Sequence, residues 1–437
     1  MRWKTDTVTG WGRVLSAASE IARPERTSAL NAILASENAP AMGNRRSYGD
    51  APLNDGGKSI DMTRLDRILG FDESTGILEA EAGCQLGELT RLFAPKGWLP
   101  AVLPGTGFAT IGGAIAMDVH GKNHHNAGSF GQHVEAITLL VQGEKKTISP
   151  KRNASLFKAT VGGMGQTGII LSAKIKMLPC KGDVIMVTER RVDGLDEFLE
   201  LLDNSSATYT VGWIDATAKG SALGRGILEE GETGSGLVPA RSKSKSVPFN
   251  APSFALSPLT VRLFNKLYFR RVPDHGRTSV KPITDFFFPL DRIYDWNRLY
   301  GKRGFHQFQC VVPVAEAATL REILTQIAHS GLASPLAVLK RMGAGSAGYM
   351  SFPMEGYTLA VDFPNTEAAR ALVPRLEKLT AEVGGRIYLA KDSLSSGERI
   401  RPMYPDHATW SAEAAKADPT GALKTDLIRR LDLRSTK

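Results

Sequence analysis

What this 437-residue chain lacks narrows its identity before any motif is considered. It has three cysteines, Cys84, Cys180 and Cys310, too few and too widely spaced for a disulfide framework or a thiolate metal site. No run approaches the roughly 18–20 apolar residues that a membrane-spanning helix needs. Residues 1–12 hold no apolar core of an export signal, so a cytoplasmic product is expected. The phosphate-loop string G-x-x-x-x-G-K-[ST] is absent, and Thr110 stands where the dinucleotide fingerprint would place its third glycine. Acidic residues are in the minority, 45 against 54 Lys and Arg, and the net charge of +9 favours phosphates or an acidic membrane surface. Nucleic acid is not expected, because the basic-aromatic interleaving of nucleic-acid modules is missing. Apolar residues make up 42% and charged residues 23%, as in a soluble globular protein long enough for two domains.

What is present is glycine, concentrated in three places. Between Leu103 and Gly131, seven of 29 residues are glycine. Such density marks backbone that turns sharply or approaches a ligand closely, although a loop without a ligand would also satisfy it. From Gly105 to Gly113, small residues alternate with donors. This predicts a row of free N–H groups delivering an anion to the start of a helix at Ala114. His120, Lys122, His124 and His125 follow, a cluster able to handle protons. Zinc is not expected there: Gly121 and Asn123 argue against a helix, and no carboxylate completes a ligand set. The second concentration is the donor-rich turn 43–50, and the third is 161–168.

Around these loops the spacing predicts helices at 24–36 and from Leu86 to near Gly97, and strands at 59–62, 76–82, 134–142 and 169–178. Beyond residue 180, strands at 184–188, 209–213, 307–312 and 357–363 alternate with helices at 195–202, 315–329 and 366–383. That is an α+β pattern, with helices against one face of a mainly antiparallel sheet. Residues 229–279, including the basic run 241–246 and the segment 263–271, show weak periodicity. They fit either a solvated flexible insertion or a basic-apolar edge that meets lipid. Residues 387–392 resemble a strand ending on Lys391, and the tail predicts a helix carrying Leu423, Leu427 and Leu431.

These strings resemble the vanillyl-alcohol-oxidase flavoprotein superfamily, with its PCMH-type FAD-binding fold. Gly43-x-x-Arg46-Ser47-Tyr48-Gly49-Asp50, Leu103-Pro104-Gly105-Thr106, His120-Gly121-Lys122-Asn123-His124-His125 and Ala390-Lys391-Asp392-Ser393 are similar to the decaprenylphosphoryl-ribose 2′-oxidase family within it. The resemblance covers nearly the whole chain. It implies a two-domain α+β fold: residues 1–180 and 386–437 hold FAD, and 181–385 form an inserted antiparallel-sheet substrate domain with a flexible basic insertion near 229–279. It also implies an FAD-dependent oxidation of a polyprenylphosphoryl-β-D-ribose, the flavin half of an epimerase that supplies arabinose to cell-wall polymers. A short-chain-dehydrogenase-type NAD(P)H keto-reductase would be the partner, and contact with the membrane would be peripheral, at its inner face.

By the same resemblance, Asn44, Arg45, Arg46, Ser47, Tyr48 and Gly49 with Gly105, Thr106 and Thr110 surround the FAD pyrophosphate. Gly112, Gly113, Met117, Gly165, Thr167, Gly168 and Ile170 surround the ribityl chain and ring, with His120, Gly121, Asn123 and Lys391 beside them. Lys391, His120, Lys122 and Tyr48 are the implied catalytic group, and His124 and His125 support their loop. Arg46 stands where related sugar oxidases carry a flavin-linking histidine, which implies non-covalent FAD. Trp213, Phe287, Gln307, Gln309, Lys340 and Thr358 match substrate positions, Lys340 toward the phosphate. The sequence departs from the mycobacterial pattern at Phe287, in place of tyrosine, and at Thr358-Leu359-Ala360, in place of Asn-x-Cys. Against these roles stand plainer ones: a surface lysine in a turn for Lys391, a backbone-satisfied histidine for His120, and a solvated strand-edge lysine for Lys340. Two alternatives remain at this level, a soluble sugar or alditol oxidase that uses oxygen and a non-catalytic flavin- or lipid-binding protein.

Overall fold

The computed structural model describes residues 3–236, 244–332 and 334–434. Its alternating and helical segments assemble into an α+β fold with three main sheets. In the first sheet, Lys4–Thr9 and Ser16–Ala22 pair antiparallel, and Lys58–Asp61 and Ala41–Met42 extend it in parallel. The helix Thr27–Leu34 buries Leu30 and Ile33 against it, while Leu140, Ile169 and Leu171 close the same small core from the second sheet. That second sheet is antiparallel, in the order Ile68–Asp72, Ile77–Glu81, Ile169–Pro179, Val134–Val141, Glu144–Ile148, with Trp98–Pro100 also paired to Ile169–Pro179.

The third sheet has eight antiparallel strands, and its period-two alternation decides where the site lies. Phe308, Cys310 and Val312 of Phe305–Val312, Leu359 and Val361 of Gly356–Pro364, and Ala337 and Leu339 of Ala337–Met342 point into one core. The helices Leu195–Asn204, Ala317–Ser330 and Glu367–Glu382 pack on that side. The intervening residues, Gln307, Gln309, Thr358, Ala360, Val338 and Lys340, line a cavity on the other side. Strand register then places Gln309 opposite Ala360, Lys340 opposite Thr358 and Gln307 opposite Asp362.

Two expectations need correction. Residues 229–279 are not a long loop: they include the end of the strand Gly226–Gly234, the helix Pro258–Arg270 and the start of the strand Arg277–Pro282. The helix escapes pattern reading because Leu259, Leu263 and Leu267 are exposed while Val261, Asn265 and Phe269 are buried, so apolar residues occupy both faces. Residues 241–243 of the basic run lie outside the described residues. At the other end, the strand Arg386–Ile387 is only two residues long, and the chain then turns. The amides of Lys391 and Asp392 both donate to the Tyr388 carbonyl, and the Ala390 carbonyl accepts from the Tyr48 amide. Lys391 therefore projects from a turn docked on the 43–50 loop.

The tail returns to the N-terminal region. Its helix is short, Asp426–Arg430, and Leu423, Leu427 and Leu431 are buried. The Arg430 guanidinium donates to both Asp50 oxygens at 2.7 Å and to Asp392 at 2.9 Å. One cation thus ties the tail, the first glycine turn and the Lys391 turn together.

Candidate active site

A cavity of about 540 Å³ separates the glycine loops from the open face of the third sheet, within the range of ligand sites. Three walls meet there: 41–48, 103–122 with 164–170, and the sheet face with 388–391.

The first wall is a donor cradle. Among the described residues, the amides of Asn44, Arg45, Arg46 and Ser47 find no acceptor, and Arg45 has φ +50°, which curls them into a concave turn. Sequence reading assigned that property to the 105–113 loop, and the structure divides it between the two loops: among the described residues the amides of Gly105, Thr106, Ala109 and Thr110 find no acceptor either, while the rest are paired. The Ile111 amide donates to Cys84, Gly112 to Ala82, Gly113 to the Thr110 hydroxyl and Gly107 to Asp291. Those bonds hold the loop in place around its four unpaired amides. Asp291, which no sequence signal marked, also accepts from Thr106 at 2.8 Å and so braces the loop from the substrate side.

Glycine has a different reason in each of the first two walls. A Cβ on Gly43 would meet the Thr110 hydroxyl at 2.4 Å, while Gly105 and Gly165 have nothing within 4 Å of that position. At those two positions backbone faces the cavity, and Gly165 has φ +75°, which disfavours other residues. Arg46 lies with its guanidinium 4.4 Å from the ring centroids of both Trp11 and Phe108. Its Nε is buried without a partner, and burial lowers its pKa. A cradle of unpaired amides, a stacked arginine whose buried Nε lacks a partner, and backbone open to the cavity fit a large anionic cofactor such as FAD. Asn44, Arg45, Arg46, Ser47 and Tyr48, with Gly105, Thr106, Thr110, Gly112, Gly113, Met117, Gly165, Gly168 and Ile170, are the expected residues that line it.

Three expected cofactor residues do not line it. Gly49 packs under the Lys391 turn, where a Cβ would fall 1.9 Å from the Asp392 carbonyl. Asn123 donates to the Ala101 carbonyl at 2.8 Å, and Thr167 bonds Thr160 at 2.8 Å. Both are buried structural groups.

In the proton-handling cluster, His120 is engaged at both ring nitrogens. Lys340 Nζ lies 3.1 Å from Nδ1 and the Gln309 amide 3.1 Å from Nε2, and that amide also donates to Thr358. Burial, with Lys340, His124 and Lys391 nearby, holds the His120 pKa well below its ordinary value, so the ring is neutral. Lys122 does not face His120 as a pair. Its Nζ donates to the Phe286 carbonyl at 2.6 Å and sits 3.8 Å over the Phe286 ring, and burial lowers its pKa to about 8. His124 is buried, and burial lowers its pKa to about 4. His125 bonds the Ala207 carbonyl at 2.9 Å, a bracing role.

Lys391 places Nζ 3.5 Å from the Tyr48 ring centroid. Burial lowers its pKa, and Asp362 opposes that shift. Asp362 itself is buried and accepts from Gln307 and from Tyr300 (3.1 Å), with its own pKa raised by burial. Sequence reading missed Asp362, although strand alternation with Thr358 and Ala360 would have put it on the cavity face. Burial also lowers Lys340 to about 7, with Lys122 and Lys391 contributing. Of the expected substrate residues, Trp213, Phe287, Gln307, Gln309, Lys340 and Thr358 all line the cavity. Among the described residues, no group of His, Cys, Asp and Glu is placed to hold a metal ion.

A family of FAD binding domains matches residues 19–149. Over 31% of the chain it is 30% identical to a D-lactate dehydrogenase from Anaerostipes hadrus, covering 30% of that protein. It is also 30% identical to a delta(24)-sterol reductase from Rattus norvegicus, over 33% of this chain and 28% of the relative. An FAD binding domain whose loops share a cavity with a lysine-bearing antiparallel sheet defines an FAD-dependent oxidoreductase of the vanillyl-alcohol-oxidase type. A decaprenylphosphoryl-beta-D-ribose oxidase from Mycolicibacterium smegmatis is 37% identical over 98% of both chains. The chain belongs to that oxidase family.

Proposed function

We propose that the protein oxidises the 2′-hydroxyl of a polyprenylphosphoryl-β-D-ribose to the 2′-keto sugar, the first half of an epimerisation at that carbon. Residues 1–180 and 386–437 hold FAD in this reading, and 181–385 bind the substrate. The observation that carries it is the sheet face opposite the FAD loops. There Trp213, Gln307, Gln309 and Thr358 surround Lys340, while Lys122 and Lys391 bring two more lysine side chains to the same cavity. A neutral sugar would not need two half-buried lysines beside the one that handles the proton; a sugar phosphate would.

Bound FAD supplies the acceptor for the hydride that leaves the carbinol carbon. The chain's own residues handle the proton and the charge. His120 is committed at both ring nitrogens, whereas Lys391 is near neutrality through burial and projects from a turn into the cavity. Lys391 therefore takes the hydroxyl proton onto Nζ, and the ammonium so formed rests over the Tyr48 ring near Asp362. Gln309 and Gln307, fixed by Thr358 and Asp362, orient the sugar. Lys340 and Lys122 neutralise the phosphate. The Tyr48, Trp296, Tyr300 and Phe305 cluster shields that end of the cavity from water.

The ketone must then be reduced from the opposite face, which calls for a short-chain-dehydrogenase-type NAD(P)H keto-reductase as partner. No helix of the described residues is long and apolar enough to cross a membrane, so the lipid substrate is met by peripheral contact, at the cytoplasmic face in this reading. Anaerobic mixing of the yellow protein with polyprenylphosphoryl ribose should bleach the visible flavin absorbance and yield one keto sugar per flavin. No bleaching, or equal bleaching by free ribose and alditols, would favour a soluble sugar oxidase.

A further inference from the structure

The helix Pro258–Arg270 inverts the usual pattern of a globular protein. Leu259, Leu263, Phe264 and Leu267 are 78%, 58%, 47% and 63% exposed, while the opposite face buries Val261, Asn265 and Phe269. At 100° per residue the three leucines fall within a sector of about 80°, with Arg262, Lys266 and Arg270 beside or among them. The helix contains no acidic residue. Just before it, Phe249 and Phe254 are each 72% exposed. Contiguous apolar exposure ringed by cations is not what water selects, and it is the composition of a helix lying in a bilayer interface.

The same helix forms part of the cavity wall. Tyr268 lines the cavity, stacks on Phe264 at 5.7 Å and meets Trp213, another lining residue, at 4.7 Å. An aromatic row therefore runs from the exposed face to the interior. The geometry points to this helix as a docking surface for an anionic bilayer, seating Leu259, Leu263 and Leu267 among the lipids. The Phe264–Tyr268–Trp213 row leads a polyprenyl chain from the bilayer toward the ribose end of the cavity. Charge complementarity fixes the occupant, since both the helix and the whole chain, at +9, are cationic. The second half of the inference rests on the polyprenyl-substrate reading; the docking itself does not.

Co-sedimentation of the full-length FAD-loaded protein with phosphatidylglycerol and with phosphatidylcholine vesicles tests it. The native protein should bind the anionic vesicles and hardly the neutral ones. R262Q/K266Q should weaken binding roughly 30-fold, about five- to sixfold per charge. L259D/L263D/L267D should abolish it. Both variants should retain full flavin content and native bleaching by a short-chain, water-soluble polyprenylphosphoryl ribose. Failure of the native protein to bind anionic vesicles, or native-like binding by both variants, overturns the proposal, and so does capture of a protein partner through this face without vesicle binding. If vesicles bind but no polyprenylphosphoryl ribose bleaches the flavin, docking stands and the substrate reading falls.

Discussion

Lys391 lies with its side-chain nitrogen 3.5 Å from the centre of the Tyr48 ring, although 343 positions separate the two residues (391 − 48). The contact is held from behind by the Tyr48 amide bonding Ala390 and by Arg430 bridging Asp50 and Asp392. Neither arm is free to drift.

Replacing that lysine tests its role. Lys391→Ala should bind FAD normally, because the amide cradle of 44–47 is untouched. The flavin bleaching step should slow by at least ~100-fold, in line with losing a positioned proton acceptor worth ~3 kcal/mol. Rapid anaerobic mixing measures it. A near-native rate at full flavin content would remove Lys391 from the chemistry.

The lysine cluster makes binding pH-dependent. Burial holds Lys340 at about 7 and Lys122 at about 8, below the ~10.4 of an unfolded lysine. Folded chains therefore bind fewer protons than unfolded ones above about pH 7, and these groups make the ligand-free protein more stable as pH rises toward 10. A phosphate ligand favours the charged forms. Binding at pH 8 should take up protons, and KM should rise between pH 7 and 9 while kcat changes less. Calorimetry in buffers of different ionisation enthalpy measures the uptake, and K340M should remove much of it. Zero uptake by the native protein would contradict the cluster.

FAD should leave the denatured polypeptide. Arg46 is clamped between Trp11 and Phe108 and is not a nucleophile, and burial pushes the Cys84 thiol up to about 12. Flavin fluorescence on a denaturing-gel band would refute this. Arg46→Ala should loosen the flavin, raising its dissociation constant about tenfold for the loss of a stacked cation worth roughly 1–2 kcal/mol.

Ala360 lies on the cavity face opposite Gln309, where no thiol is available. Cys310, on the same sheet, points into the helix-packed core with its thiol pushed up to about 12. Thiol-directed electrophiles should therefore leave residues 355–365 unmodified in the native protein. Ala360→Cys should create a site that labels and that substrate protects. Peptide mass spectrometry reads both outcomes.

Much of this was legible in the chain. Glycine density at 43–50, 105–113 and 161–168 marked the loops, because only backbone without a Cβ tolerates such close approach. The family resemblance named Gln307, Gln309 and Lys340, but that they share the open face of one sheet follows from strand alternation only once the strands are paired. Which amides of these loops stay unpaired was not legible. The Gly112 amide bonds Ala82 only because distant segments pack side by side, and no local pattern records that. The helix Pro258–Arg270 was hidden for a related reason: its apolar residues answer to two environments at once, so a single-core periodicity fails.

The sequence by itself determined the backbone grammar, the flavoprotein resemblance and which residue types are available, because these depend on local sterics and short-range spacing. Only the tertiary structure decided that Lys391 meets Tyr48, that His120 is spent on Lys340 and Gln309, and that Lys122 turns to Phe286. Burial and the charges of remote segments set those contacts and the protonation that follows, and both exist only once the chain has folded.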